Sequence, residues 1–199
     1  MQFLPVRCRA APANEQPMTD GARTLTADEI RAALGRLGEL ASGAGEEIHL
    51  VALGGVVMVL AYGHRESTRD VDAVFRRPRP TAPIRRWAIR VAQEHSLPID
   101  WLNDGVKGYV GEAPPEGVEI FSAVGITVVA ARPEVMLGSK LAAFRDVVDR
   151  SDARRILEDL AGSKIEVWQR IEPYVQPPAA LTKACYAFDE LWDEIRGDD

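Results

Sequence analysis

Leu53-Gly54-Gly55-Val56-Val57-Met58-Val59-Leu60-Ala61-Tyr62-Gly63-His64-Arg65-Glu66-Ser67-Thr68-Arg69-Asp70-Val71-Asp72 joins a glycine pair, an apolar run and an Asp-x-Asp within twenty residues. The run Ile48 to Leu53 before it is short, apolar and bounded by glycine, as a buried strand would be, and Val56 to Tyr62 is the helix it feeds. Asp70 to Phe75 reads as a second strand. Side chains alternate along a strand, so Asp70 and Asp72 point the same way with their roots roughly 7 Å apart. Two carboxylates on one face can share a divalent cation. Gly54 and Gly55 allow a tight turn and close approach of the backbone to a ligand. The helix that follows offers unpaired N–H groups and a positive dipole end. Phosphate at one end and metal at the other point to a nucleotide.

Upstream, Thr26-Ala-Asp-Glu29 has the form of a capping box, and Ile30, Ala33, Leu34, Leu37 and Leu40 follow it at helical spacing. Residues 1–24 carry no periodicity and read as a disordered leader. Downstream, Arg-Arg-Pro-Arg-Pro breaks the chain, Ala82 to His95 has the pattern of an amphipathic helix, and Leu97 to Leu102 reads as a returning strand. Gly105 to Gly117 reads as a polar loop, with a hairpin after it from Val118 to Ala123 and Ile126 to Ala131 that turns near Gly125. From Pro133 the period becomes helical, in segments 133–145, 149–160, 165–174 and 178–196 punctuated by Gly162 and Pro177. The expected architecture is α/β (α+β): a mixed sheet flanked by helices over residues 25–132, and an α-helical C-terminal half over 133–199 packed on that core.

The chain has 199 residues, 46% of them apolar, enough for a substantial core. Its net charge of −6 argues against a broad basic surface for nucleic acid, so an RNA partner would have to bind locally. Cys8 and Cys185 stand near opposite ends and fit neither a disulfide framework nor a zinc spacing, which suits a reduced cytoplasmic setting. No apolar run approaches the ~20 residues of a membrane span. His49, His64 and His95 lack metal-ligand spacing.

Three stretches together resemble the nucleotidyltransferase superfamily typified by DNA polymerase beta, and within it the small bacterial proteins related to AbiEii and MenT toxins. They are Gly54-Gly55 leading to Arg65-x-Ser67-Thr68-x-Asp70-x-Asp72, Leu137-Gly-Ser-Lys140-Leu-Ala-Ala-Phe-Arg145, and Asp149-Arg-Ser-Asp152-Ala-Arg-Arg-Ile-Leu. The resemblance spans about residues 48 to 160. It implies a catalytic set of Asp70, Asp72, Lys140 and Asp152. It also implies a nucleotide-binding set of Gly54, Gly55, Arg65, Ser67, Thr68 and Lys140, with two Mg2+ ions and an NTP as donor. The acceptor would be a hydroxyl of RNA, such as a tRNA end, or of protein, and the wider role that of a toxin with an antitoxin partner.

This division of roles is sound chemistry. In-line attack on the α-phosphorus is served by metal ions that stabilise attacking and leaving oxygens, and magnesium accepts one or two protein carboxylates and fills its shell with water and phosphate. The glycine turn would hold the triphosphate, and Lys140 and Arg65 would neutralise the leaving pyrophosphate. The pattern also departs from the superfamily. Many members have Gly-Ser where this chain has Gly54-Gly55, so a phosphate-contacting hydroxyl must come from Ser67 or Thr68. A third carboxylate is expected from a later strand, with Asp100 the best placed and Asp104 and Glu119 the alternatives. Without one, the chain would bind nucleotide as an inert regulatory module.

Asp149 and Asp152 serve equally as helix N-cap and first-turn acid. Trp101 reads as core. A phosphohydrolase of the haloacid dehalogenase type also uses Asp-x-Asp, and Val74 is compatible with it, but the preceding Gly-Gly turn is not. A dinucleotide fold lacks its Gly-x-Gly-x-x-Gly.

Overall fold

A computed structural model describes residues 23–197, so the expected leader lies almost wholly outside the described residues. The capping box forms as read: the Glu29 amide donates to Thr26 Oγ1 at 3.4 Å, and the Glu29 carboxylate accepts the Thr26 amide at 2.9 Å. It opens α1 (Ala27–Gly43), whose buried face is Ile30, Ala33, Leu34, Leu37 and Ala41. Each large side chain buried there stabilises the fold by about 2 kcal/mol before entropy is counted.

Five strands make a mixed sheet: β2 (Ile48–Leu53), β4 (Val71–Arg77), β5 (Leu102–Asn103), β6 (Glu116–Ala123) and β7 (Ile126–Ala131), in the order β5-β4-β2-β7-β6. The central β2 runs antiparallel to β4 and parallel to β7, and β4 runs parallel to β5. Leu50, Val51 and Ala52 are inaccessible, which is why β2 reads as continuous apolar sequence rather than alternation. A separate two-stranded ladder pairs β1 (Leu25–Thr26) with β3 (Ser67–Thr68). It ties the start of α1 to the loop before Asp70.

α1 packs on the β6–β7 hairpin at very close range: a Cβ on Gly38 would stand 2.3 Å from the Val124 carbonyl oxygen. α3 (Ala82–His95) lies against α1, where Arg36 Nε donates to Glu94 at 2.7 Å. Trp101 is fully buried and donates to the Ala88 carbonyl at 3.0 Å, a core residue as read.

The C-terminal part comprises α5 (Pro133–Ala143), α6 (Val147–Glu158), α7 (Lys164–Ile171) and α8 (Leu181–Arg196). Trp168, Phe188 and Trp192 pack ring to ring between α7 and α8, with centroids 5.2 and 5.6 Å apart. Among the described residues no helix is long and apolar enough to cross a membrane.

Several expected boundaries are corrected. The strand expected over 97–102 is mostly turn, and β5 is only Leu102–Asn103. The loop after Gly105 contains a short helix, α4 (Lys107–Val110). The helix after the glycine pair, α2 (Gly55–Leu60), is six residues long and ends before Tyr62. Phe144 adopts a left-handed backbone at φ 31° and ends α5 early, while Pro173 turns the end of the expected 165–174 helix into a 3-10 turn.

Candidate functional site

One cavity of about 1000 Å3 opens where the C-terminal ends of β2 and the start of β4 meet α6. Its wall carries Gly54, Gly55, Arg65, Ser67, Thr68, Asp70, Asp72, Lys140, Asp149 and Asp152. Every residue of the implied catalytic and nucleotide-binding sets is there, whereas Asp100, Asp104 and Glu119 are not.

Gly54 sits at φ 66°, ψ −139°, a conformation that a side chain resists, and a Cβ there would lie 3.5 Å from Asp72 Oδ2. The bare backbone therefore runs alongside the carboxylate, as the antiparallel pairing of Leu53 with Asp72 requires. Gly55 is glycine for a different reason. A Cβ on it would stand 2.2 Å from Thr68 Oγ1, so the Thr68 hydroxyl already occupies the space a serine at position 55 would need. Of the two hydroxyls weighed for that place, Thr68 is the one the fold puts there, held by the β1–β3 ladder.

Asp72 is the second residue of β4 and Asp70 immediately precedes the strand. Burial pushes both carboxyls above their ordinary value, and for Asp70 the charge of Asp72 adds to the effect. A hydrogen bond from Asn103 works against the rise at both, and Lys140 opposes it at Asp72. Two partly desolvated, mutually repelling carboxylates favour an added cation. Asn103 is the neighbour of Asp72 on β5, and its Nδ2 donates to Asp70 Oδ2 at 3.1 Å while its Oδ1 accepts the Gly105 amide at 3.1 Å.

The β5 residue beside Asp70 and Asp72 is thus Asn103, not a carboxylate. Asp100 lies in the exposed turn before β5, close enough to raise Asp70 but off the strand and off the cavity wall. Asp104 is spent on Arg85 and on Lys107, the latter at 3.0 Å, and Glu119 sits on β6 at the opposite edge of the sheet. Among the described residues no three His, Cys, Asp or Glu side chains converge on a metal position. Two carboxylates remain, a donor set that fits a magnesium ion whose shell is otherwise water and phosphate.

The opposite wall is a chain of ion pairs built on two buried carboxylates, Asp149 and Asp152. Asp152, with none of its surface exposed, accepts from Arg65 in a two-pronged contact and pairs with Lys140 at 2.8 Å. Lys140 also reaches Asp149 Oδ1 at 3.0 Å, and Arg145 donates to Asp149 Oδ2 from its amide at 3.2 Å and from Nε at 3.0 Å. Burial alone would raise the Asp149 carboxyl, but hydrogen bonds from Arg145 and Lys140 outweigh it and hold the group down at about 2. No buried side-chain polar atom is left unpartnered among the described residues.

This chain sorts the expected roles. The N-cap of α6 is Asp146, which accepts the Val148 and Asp149 amides at 3.0 and 2.9 Å, so neither Asp149 nor Asp152 is the cap. Both carboxylate oxygens of Asp152 are engaged, which makes it a residue that positions Arg65 and Lys140. The sequence carried Arg145 without a role and set His64 aside. His64 faces the same cavity, with Nε2 2.9 Å from Ser151 Oγ on α6. An i to i+4 relation between Arg145 and Asp149 was the available signal for the former; nothing in the sequence signals the His64–Ser151 contact.

No protein-family model, curated protein or solved structure matches the chain.

Proposed function

We propose that the chain is a magnesium-dependent nucleotidyltransferase that moves a nucleoside monophosphate from an NTP to a hydroxyl of RNA or protein, acting in the cytoplasm as the toxin of a toxin–antitoxin pair. One observation carries the reading. A single cavity gathers a glycine turn, a paired carboxylate and a cationic wall from three segments far apart in sequence, 54–55, 65–72 and 140–152.

Each group has a task suited to its surroundings. Asp70 and Asp72 would hold Mg2+, which when bound would supply Lewis-acid stabilisation of charge on the reacting phosphate. The backbone at Gly54 and Gly55 leaves room for phosphate oxygens, and the Thr68 hydroxyl donates to one of them. Arg65 and Lys140 balance the charge of the departing pyrophosphate. Asp152 keeps both cations directed, because freeing either would leave a buried carboxylate short of a partner. With a net charge of −6, an RNA acceptor is engaged at its end rather than along its length.

Incubation with each α-labelled NTP, magnesium, total RNA and cell extract tests this. Label on an acceptor, lost in the Asp70→Ala/Asp72→Ala variant, is the expected result, and absence of transfer with every NTP overturns the enzyme. Asn103 rather than a carboxylate beside Asp70 and Asp72 favours a second reading, an inert nucleotide-binding module. That reading predicts bound nucleotide without transfer.

A further inference from the structure

A second cavity, of about 390 Å3, adjoins the first and shares Gly54, Asp72 and Lys140 with it. Its remaining surface differs in kind from that of the first. α4 supplies Tyr109 and Val110, α5 supplies Ala142 and Ala143, and Tyr174 and Pro177 close the far side. Ser139 also reaches it, but its hydroxyl donates to the Val135 carbonyl at 3.0 Å and so is already engaged.

We infer that this cavity seats the heterocyclic base of the donor nucleotide, an inference that rests on the proposed transfer reaction. Three observations carry it. The two cavities share Gly54, Asp72, Lys140, Arg145 and Asp149 and are therefore immediate neighbours, which puts a base in the second beside phosphates over the glycine turn. The volume falls in the range of small-molecule sites, and flat rings beside small apolar side chains suit a planar group. The wall is also built to stay in place. A Cβ on Gly138 would stand 2.9 Å from Tyr174 Cβ, so the bare glycine is what lets the segment bearing Tyr174 lie directly on α5. Tyr109 lines this cavity and is 64% exposed, so its side chain is open to a ligand.

Equilibrium binding of the four NTPs and of inorganic tripolyphosphate, with magnesium, to the full chain and to its Tyr109→Ala and Ala142→Phe variants decides the matter. Tyr109 is exposed, so its variant keeps the fold; Ala142→Phe fills the cavity from a different wall. NTP binding weakened about tenfold or more in both variants, with tripolyphosphate binding unchanged, is the expected result. Unchanged binding of both ligands overturns the inference. So does equal weakening of both, which would mean a general disturbance of the phosphate site. Unchanged NTP binding with a raised KM for an RNA acceptor overturns it in favour of the acceptor's terminal base. If the unaltered chain binds neither NTP nor tripolyphosphate, the transferase reading itself falls, an outcome distinct from the others.

Discussion

At Gly55 a single missing methyl decides whether the Thr68 hydroxyl can face the cavity. Gly55→Ala brings a Cβ to 2.2 Å from Thr68 Oγ1, and relief must come from the β1–β3 ladder or from α2. A loss of about 1–3 kcal/mol is expected in denaturant unfolding, with part of it recovered in the Gly55→Ala/Thr68→Ala double variant. Asn103 poses the opposite question, since it donates where a carboxylate would repel. Asn103→Asp adds a like charge beside two carboxyls already pushed up by burial. In chelator the variant should be about 1 kcal/mol less stable, near 3 °C in melting midpoint, and magnesium should raise its midpoint more than that of the unaltered chain. Asp149 sets an acid limit. Its carboxyl, held at about 2 when folded, is near 3.8 when free, so the unfolded chain binds the proton more readily. Its contribution is complete above about pH 4 and is lost as pH falls toward 2. Asp149→Asn should flatten the stability profile in that window, read from denaturant midpoints at each pH.

Among the elements, α6 couples stability to the site. Its Asp146 cap fixes the first turn, which carries Asp149, and Asp152 lies in the turn that follows. Asp146→Ala should cost about 1 kcal/mol of stability by loss of the cap. It should also weaken NTP binding, because Lys140 and Arg65 take their positions from α6; calorimetric titration beside an unfolding curve reads both. The elements differ in how plainly the sequence announced them. α1, α3, the hairpin and the helical C-terminal part are elements of six residues or more with a readable period or explicit caps, and all are legible. β1, β3 and β5 have two residues each, too few to display any period, and they exist because a neighbouring strand supplies hydrogen bonds. The sequence pattern places the returning strand at Leu97 to Leu102, whereas β5 is Leu102–Asn103, so the pattern puts Asp100 on a strand and leaves Asn103 off it.

Across the whole molecule, the cavity is a seam between the sheet and the C-terminal helices, since Asp70 and Asp72 come from one and Lys140, Asp149 and Asp152 from the other. A ligand bound there holds both parts together. Mg2+ with NTP at a hundred times its dissociation constant should stabilise the chain by about 2.7 kcal/mol and raise the melting midpoint by about 5–10 °C in a single transition. Asp72→Asn should abolish the magnesium-dependent part of that shift. The sequence by itself determined which local structures form around the site: the glycine turn, the Asp-x-Asp at the head of a strand, the capped helices and the change to a helical C-terminal half. These depend on backbone freedom, side-chain period and capping, which act within a few residues. Tertiary structure alone decided that Thr68 fills the space beside Gly55, that Asn103 stands beside Asp70 and Asp72, and that Asp152 is spent on Arg65 and Lys140. Those outcomes depend on strand register and helix docking between residues 12 to 87 apart, distances over which no local pattern carries information.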